Sequence, residues 1–299
     1  MGGPQAVCDN GVNEHPAGHL RLNVMAAVKE VGTVAATGVE VTVDRWVRGN
    51  ATHTTDRVAE EVPVALLYNG EPHVVMLATP QDLEDLARGF SLSEELVDSP
   101  EEIRGIEVRT APDSAEVRIA IAWERFPELL RRRRNLTGRT GCGLCGTETL
   151  EQAVRTQQIV GEGPRVSIAQ LHEAIAGLPA RQLLNASTGS VHAAAWVVPS
   201  RGIEYVREDV GRHNALDKTL GALVQANADL EAGFMLVTSR ASYEMVQKTA
   251  AMGVTFLAAL SAPTSFAIHH AQRCGLTLVA FARREQHVVY ANGQRLVEG

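Results

Sequence analysis

The sequence predicts an α/β protein in which a three-layer α/β/α domain follows a smaller β-rich module. Two observations predict the layers and a third places the break between them. From residue 149 to 299, short apolar runs alternate with amphipathic helical patterns, as strands do when helices cover both faces of a sheet. Residues 36–130 instead alternate apolar and polar side chains with a period of two, the mark of half-buried strands. Residues 131–148, between them, break every apolar period with four arginines and repeated glycine.

Taken in order, residues 1–35 lack the basic start and apolar stretch of an export signal and are expected to be a mobile tail. VEVTVDRWV (39–47) alternates as a strand. In VPVALLYNGEPHVVML, Asn69-Gly70 divides two β-branched runs and predicts a hairpin. TPQDLEDLARGFSLSEEL predicts a helix with Thr79 as cap, Pro80 in its first turn and Leu83, Leu86, Ala87 and Phe90 as its apolar stripe. Residues 106–110 and 116–122 alternate as two more strands. The RRRRNLTGRTGCGLCGTET run is expected to be an exposed basic loop.

Beyond it, SIAQLHEAIAGL predicts a helix capped by Ser167, and SVHAAAWVV with GIEYVRED an antiparallel pair. HNALDKTLGALVQA, SYEMVQKTAAMG and SFAIHHAQRCG predict helices. FMLV, TFLAAL, LTLVAFAR and HVVYAN predict the strands beside them.

Composition narrows the functional classes. The 299 residues are 45% hydrophobic and 21% charged, which is ordinary globular composition. A net charge of -7 argues against a broad nucleic-acid footprint, so an anionic ligand must meet a local basic pocket. No uncharged apolar run reaches bilayer length, and no membrane role is expected. Four cysteines without an export signal point to the cytoplasm, where thiols stay reduced.

Chemistry concentrates in Cys142 and Cys145, a C-x-x-C pair hinged by Gly141, Gly143 and Gly146. Such a pair ligates metal, shuttles electrons or carries sulfur. Zinc takes four ligands, and the chain has neither a second C-x-x-C nor an H-x3-H to complete the set, so no permanent metal is expected. A thioredoxin-like role places the pair after the strand of a βαβ unit, a context absent here. Sulfur transfer needs an ionised thiol near neutral pH. The arginine run, Arg139 and a helix expected to start at Thr147 or Thr149 all favour a thiolate.

A second cluster belongs to the strand ends, where open α/β sheets bind ligands. Ser239 and Arg240 follow FMLVT, SAPTS follows TFLAAL, and Phe281, Ala282, Arg283, Arg284, Glu285 and Gln286 close LTLVA. Three anion-friendly sites along one edge suit a nucleotide diphosphate. REDVGRHNALDK adds His213, Asn214 and Lys218 at a strand-to-helix transition, with Gly211 expected to permit the turn. A helix cap and a solvated charged turn is the plainer account of the same residues. NASTGSVHAA sets His192 at a strand start, where a satisfied core histidine is the commoner outcome.

Together, GCGLCG, NASTGSVHAA, REDVGRHNALDK, SRASYEMVQK, SAPTSFA and LTLVAFAR resemble the FdhD/NarQ family of formate dehydrogenase accessory sulfurtransferases. The resemblance implies a cytidine-deaminase-like fold for residues 149–299 and a homodimer. It also implies that sulfur from a cysteine desulfurase passes as a persulfide on Cys142, assisted by Cys145. The acceptor it implies is the molybdenum bis-guanine-dinucleotide cofactor, bound in part by Phe281–Gln286 on its way to formate dehydrogenase. The chain departs from the family pattern at Ser190 and Ser239, where glycine is usual, and in Phe281–Gln286, which lacks a glycine. Deamination itself is excluded, because His192 is followed by Ala193 and Ala194 instead of an H-x-E motif. The competing account is a molybdenum-cofactor-binding chaperone with a structural C-x-x-C.

Overall fold

A computed structural model describes residues 36–134 and 159–298. Strands β1 (Gly38–Val47) and β2 (Asn50–Ala59) pair antiparallel over their whole length around an Arg48-Gly49 turn. The sequence marks the first strand but not the second. NATHTTDRVA is polar on both faces, so no alternation reveals it.

β3 (Val62–Tyr68) and β4 (Glu71–Ala78) form the expected hairpin, with Asn69 and Gly70 at φ 48 and 88. They join β5 (Ile103–Ala111) and β6 (Ser114–Ile121) in the order β4-β3-β6-β5. Val64, Leu66, Tyr68, Val117 and Ile119 on one face pack against Leu83, Leu86 and Ala87 of α1 (Leu83–Ser93).

Two expectations need correction. Thr79 does not cap α1, which begins only after Asp82 in a left-handed conformation (φ 51). The polar backbone atoms of Thr79 are engaged elsewhere: its N–H donates to Asp209 Oδ2 and its carbonyl accepts from Lys218 Nζ. The arginine run is not a loop either, because Arg131–Arg134 are the closing residues of helix α2 (Phe126–Arg134). Pro127 suits its first turn, where the missing N–H is not needed. Residues 1–35 and 135–158, including Cys142, Cys145 and the helix start expected at Thr147 or Thr149, lie outside the described residues.

The second half is a six-stranded sheet between helices. A short strand β7 (Val166–Ser167) leads into α3 (Ile168–Gly177) through a capping box in which Ser167 and Gln170 exchange side-chain and backbone bonds. This confirms Ser167 as the cap. After α4 (Leu183–Thr188) come β8 (His192–Val198), β9 (Gly202–Asp209) and α5 (Arg212–Gln225). The order continues through β10 (Phe234–Val237), α6 (Tyr243–Ala251), β11 (Phe256–Ala259) and α7 (Ser265–Cys274). β12 (Thr277–Arg283) and β13 (Gln286–Ala291) complete the sheet, and β14 (Leu296–Val297) returns to pair with β7. Strand order is β13-β12-β11-β10-β8-β9, with β10, β11 and β12 mutually parallel.

The period of two sorts each strand between the layers. Trp196, Met235, Val237 and Leu257 pack with Leu216 and Leu220 of α5 and Met245 of α6. Their neighbours Val197, Leu236, Phe256 and Ala258 face Leu171 and Ile175 of α3. This is the three-layer arrangement expected from the alternating pattern.

The β-rich module joins this domain through α1 and α5. Their backbones approach most closely at Gly89 and Gly221, where a Cβ on either would enter the facing helix's backbone at Asp217 or Asp85. All described residues belong to one compact unit.

Candidate functional site

Strand direction gathers the candidate residues along one edge of the six-stranded sheet. Because β10, β11 and β12 run parallel and β8 runs against them, the start of β8 lies beside the end of β10. β9 returns to the same edge, pairing Asp209 with His192. The N-termini of α5, α6 and α7 leave from it. His192, Arg212, His213, Ser239, Arg240 and Phe281–Gln286 therefore share this edge.

Its β8–β10 end is polar and partly enclosed. His213 Nε2 approaches Glu244 Oε2 of α6 at 2.7 Å, and both side chains are largely buried. Burial first, then Arg212, His213 and Arg240, hold the His192 imidazole below its ordinary pKa. Arg212 Nε, Ser242 Oγ and Glu244 Oε1 are buried without a hydrogen-bond partner. Buried polar atoms are nearly always paired, so such a group marks a place where water or a polar ligand completes the bonding. Ser239 is buried and its hydroxyl donates to the Arg240 carbonyl, while the Arg240 side chain is exposed. Ser242 occupies the cap position of α6 without a side-chain cap bond, whereas Thr264 caps α7 by accepting from Ala267 N–H.

Phe281–Gln286 lies three strands away, at the turn from β12 into β13. Strand spacing puts it about 14 Å from β8. A register shift between Ala280 and Arg283 re-aims this segment, and Phe281 and Glu285 take positive φ (48 and 63) without glycine. Phe281 N–H donates to the Ser261 carbonyl at 3.1 Å, which ties the bulge to the β11 end. Ala282 is buried, and Arg283, Arg284, Glu285 and Gln286 are exposed.

Most of REDVGRHNALDK points the other way. Arg207 donates to Asp85 of α1 at 2.8 Å, and Glu208 accepts the N–H groups of Leu184 and Asn185 at the start of α4. Asp209 Oδ2 meets Lys218 Nζ at 2.6 Å, and Oδ1 accepts from Gly211 N–H and Asn214 Nδ2. Lys218 is 0% exposed, and burial depresses the pKa of its ammonium. Asn214 donates to the Leu77 carbonyl. Neither Asn214 nor Lys218 faces the edge as the sequence expectation had it; both join the β-rich module to the sheet domain. Gly211 has an extended φ of -95, so its role is close packing against Asn214 and not the turn.

A second buried pair escaped the sequence reading. Lys248 of α6 bonds Asp217, Glu94 and Ser93. Burial alone would lower its pKa, but Asp217 and Glu94 outweigh that and raise it. Glu244 was also missed, whereas Arg212 belongs to the REDVGRHNALDK run singled out in the sequence. The signal available was a carboxylate in the first turn of the helix following the Ser-Arg strand end.

Comparison with known proteins adds an independent observation. The model of the FdhD/NarQ family matches residues 59–297. The chain belongs to the FdhD/NarQ family. A sulfur carrier protein FdhD of Cupriavidus necator is 52% identical over 254 residues, covering 85% of this chain and 88% of its own. One from Xanthomonas euvesicatoria is 50% identical over 255 residues, covering 85% and 91%. A crystal structure described as a formate dehydrogenase accessory protein of Desulfotalea psychrophila superposes with TM-score 0.68 at 22% identity, covering 88% of this chain and all of that one. At that identity the likeness speaks for the mixed α/β fold.

The FdhD/NarQ match includes positions 142 and 145. Cys274, by contrast, is buried in the core with its thiol pushed up by burial, which suits packing and not sulfur chemistry. Among the described residues, no three His, Cys, Asp or Glu side chains converge as a metal site. No helix among them is long and apolar enough to cross a membrane.

Proposed function

We propose that this FdhD/NarQ chain is a cytoplasmic sulfur carrier acting for formate dehydrogenase. Its Cys142 thiolate attacks the sulfane sulfur of a cysteine desulfurase persulfide. The S–S bond of the donor breaks, the donor cysteine leaves as thiolate, and Cys142 becomes the persulfide. Cys145 assists, and the sulfur passes to the molybdenum bis-guanine-dinucleotide cofactor, held as substrate, before that cofactor enters formate dehydrogenase.

The observation that carries this reading is the C-x-x-C at 142–145 inside a chain half identical to proteins named sulfur carriers. The sheet edge supports the acceptor half. Its unpartnered Arg212, Ser242 and Glu244 atoms at one end and the exposed arginine turn at the other suit a long, anionic, dinucleotide substrate. Ser239, Arg240, His213 and Phe281–Gln286 are the proposed contacts. The three-layer arrangement of the sheet domain is in keeping with the cytidine-deaminase-like fold proposed for it.

Incubating the protein with a cysteine desulfurase and cysteine, then measuring intact mass, tests the first half. A gain of one sulfur mapped to Cys142, lost in Cys142→Ala and reduced in Cys145→Ala, is expected. Equal loading of Cys142→Ala and the parent would refute the assignment. Titration with a guanine nucleotide tests the second half, with tenfold or more weakening expected for Arg240→Ala together with Arg283→Ala, as for a lost charge-assisted contact of roughly 1.4 kcal/mol or more. Unchanged binding would remove the nucleotide from this edge.

A further inference from the structure

Two helix starts meet at the β8–β10 end of the sheet edge, and neither is capped by a side chain. α5 opens on Arg212 and His213 after Gly211, and α6 opens on Tyr243 and Glu244 after Ser242. His213 Nε2 and Glu244 Oε2, 2.7 Å apart, link the two starts. One turn further along, Lys248 of α6 donates to Asp217 Oδ2 and Oδ1 of α5 at 2.9 and 3.1 Å. Residues four apart share a helix face, so 213 with 244 and 217 with 248 make two successive cross-links. The inner link is buried and bound further by Ser93 and Glu94 at the end of α1. The two helix starts are thereby held in fixed register.

What they hold is a mixed set of unspent bonds: the Arg212 Nε donor, the Glu244 Oε1 acceptor and the Ser242 hydroxyl. The signs within this set select its ligand. A metal ion is opposed by Arg212 and Arg240, whose charges already act on His192 beside them. A phosphate is opposed by the Glu244 carboxylate. An uncharged ring edge with N–H donors beside a carbonyl satisfies both signs, its donors meeting the carboxylate and its carbonyl the guanidinium. Adenine and cytosine set a bare ring nitrogen beside their amine, and uracil flanks its N–H with two carbonyls. Each of these turns a lone pair toward the carboxylate. Guanine sets a ring N–H between an amine and a carbonyl, and a pterin repeats that aminopyrimidinone edge atom for atom.

We infer that Glu244 is a specificity-determining residue that reads an aminopyrimidinone edge. It accepts the ring N–H and the amine, while Arg212 donates to the carbonyl. Oε2 keeps acceptor capacity beyond His213, since a carboxylate offers about four lone-pair sites. The inference rests on the dinucleotide reading of this sheet edge and deepens it. That substrate carries the same edge twice, once in its guanine and once in its pterin.

Equilibrium binding to the full-length protein tests this with ligand pairs that differ at the amine alone. Guanosine diphosphate against inosine diphosphate, which lacks the amine, reports on guanine. Pterin against lumazine, in which a carbonyl replaces the amine, reports on the pterin. The parent is expected to bind the amino member of at least one pair about tenfold or more tightly, as for a base-reading contact. Glu244→Gln keeps the side-chain size but turns a donor toward the amine, so the preference should vanish in a variant shown by thermal melting to be folded. A Glu244 that serves only as partner to His213 would weaken both members of a pair equally, and a ratio left standing in the folded variant overturns the inference. So does a parent that distinguishes the members of neither pair, because water then suffices for these atoms; this measurement needs no variant. Guanosine diphosphate binding that Arg240→Ala with Arg283→Ala weakens, without discrimination in either pair, overturns the role of Glu244 and leaves the dinucleotide reading intact. Failure of every ligand to bind overturns both.

Discussion

Asp209 shows how one side chain can hold two modules together. Its carboxylate receives the Lys218 ammonium, the Thr79 and Gly211 N–H groups and the Asn214 amide, all in the interior. Such a pair adds little against a well-packed apolar substitute, but removing one member leaves the other charge buried and unpaired. Asp209→Ala is therefore expected to cost about 3–5 kcal/mol. Lys218→Met should cost less, because Asp209 keeps three N–H donors while the apolar stem of the lysine is replaced by a side chain of similar length. Urea denaturation followed by circular dichroism measures both, and a Lys218→Met loss as large as that of Asp209→Ala would show that the donors do not sustain the carboxylate. Sequence reading singled out the residues of this seam but gave no sign that they bridge the two modules. Polar residues at a strand-to-helix junction look alike whether they serve a ligand or a partner more than a hundred residues away, and Thr79 lies 139 residues from Lys218. His213, Ser239 and Arg240 were legible because strand direction alone puts them on the edge.

At the scale of elements, the close passage of α1 over α5 depends on glycine. The Gly89 and Gly221 backbones come so near the facing helix that an added methyl has no room. Gly→Ala within a helix ordinarily gains about 1 kcal/mol from propensity. Here overpacking outweighs it, and Gly221→Ala is expected to destabilise by about 1–3 kcal/mol, measured by chemical denaturation. A stabilised Gly221→Ala would mean the helices separate without loss. Elements with a strong period were legible: the Asn69-Gly70 hairpin, the Ser167 cap and the strands and helices predicted beyond residue 166 stand where expected. The short α4 and β14 were not, and neither were two longer elements. β2 is exposed on both faces and so has no alternation to read, and α2 ends in four arginines that resemble a solvated loop. In both, pairing or helix continuation outweighs local composition.

For the molecule as a whole, the distribution of depressed histidines sets an acid limit. His192 at the sheet edge, His270 in α7 and His287 on β13 all have imidazole pKa values held below the ordinary one, with burial the leading cause in each. His287 is further opposed by His172, whose Nε2 lies 3.0 Å from its Nδ1, a spacing that accommodates one proton between the rings. A histidine with a lowered folded-state pKa binds fewer protons folded than unfolded, so acid favours unfolding. The sign follows: stability is insensitive to these groups well above pH of about 6.5, where both states are neutral, and falls as pH drops through the unfolded value toward the folded ones. Equilibrium denaturation between neutral pH and about one and a half units below that value should show a progressive loss, lessened in His287→Gln. Because two of the three histidines lie in the six-stranded sheet and the third in a helix packed on it, their proton uptake is expected to add in a single transition. A stability curve that stays flat across this interval would place the imidazoles in contact with solvent and remove burial as the cause of their shift.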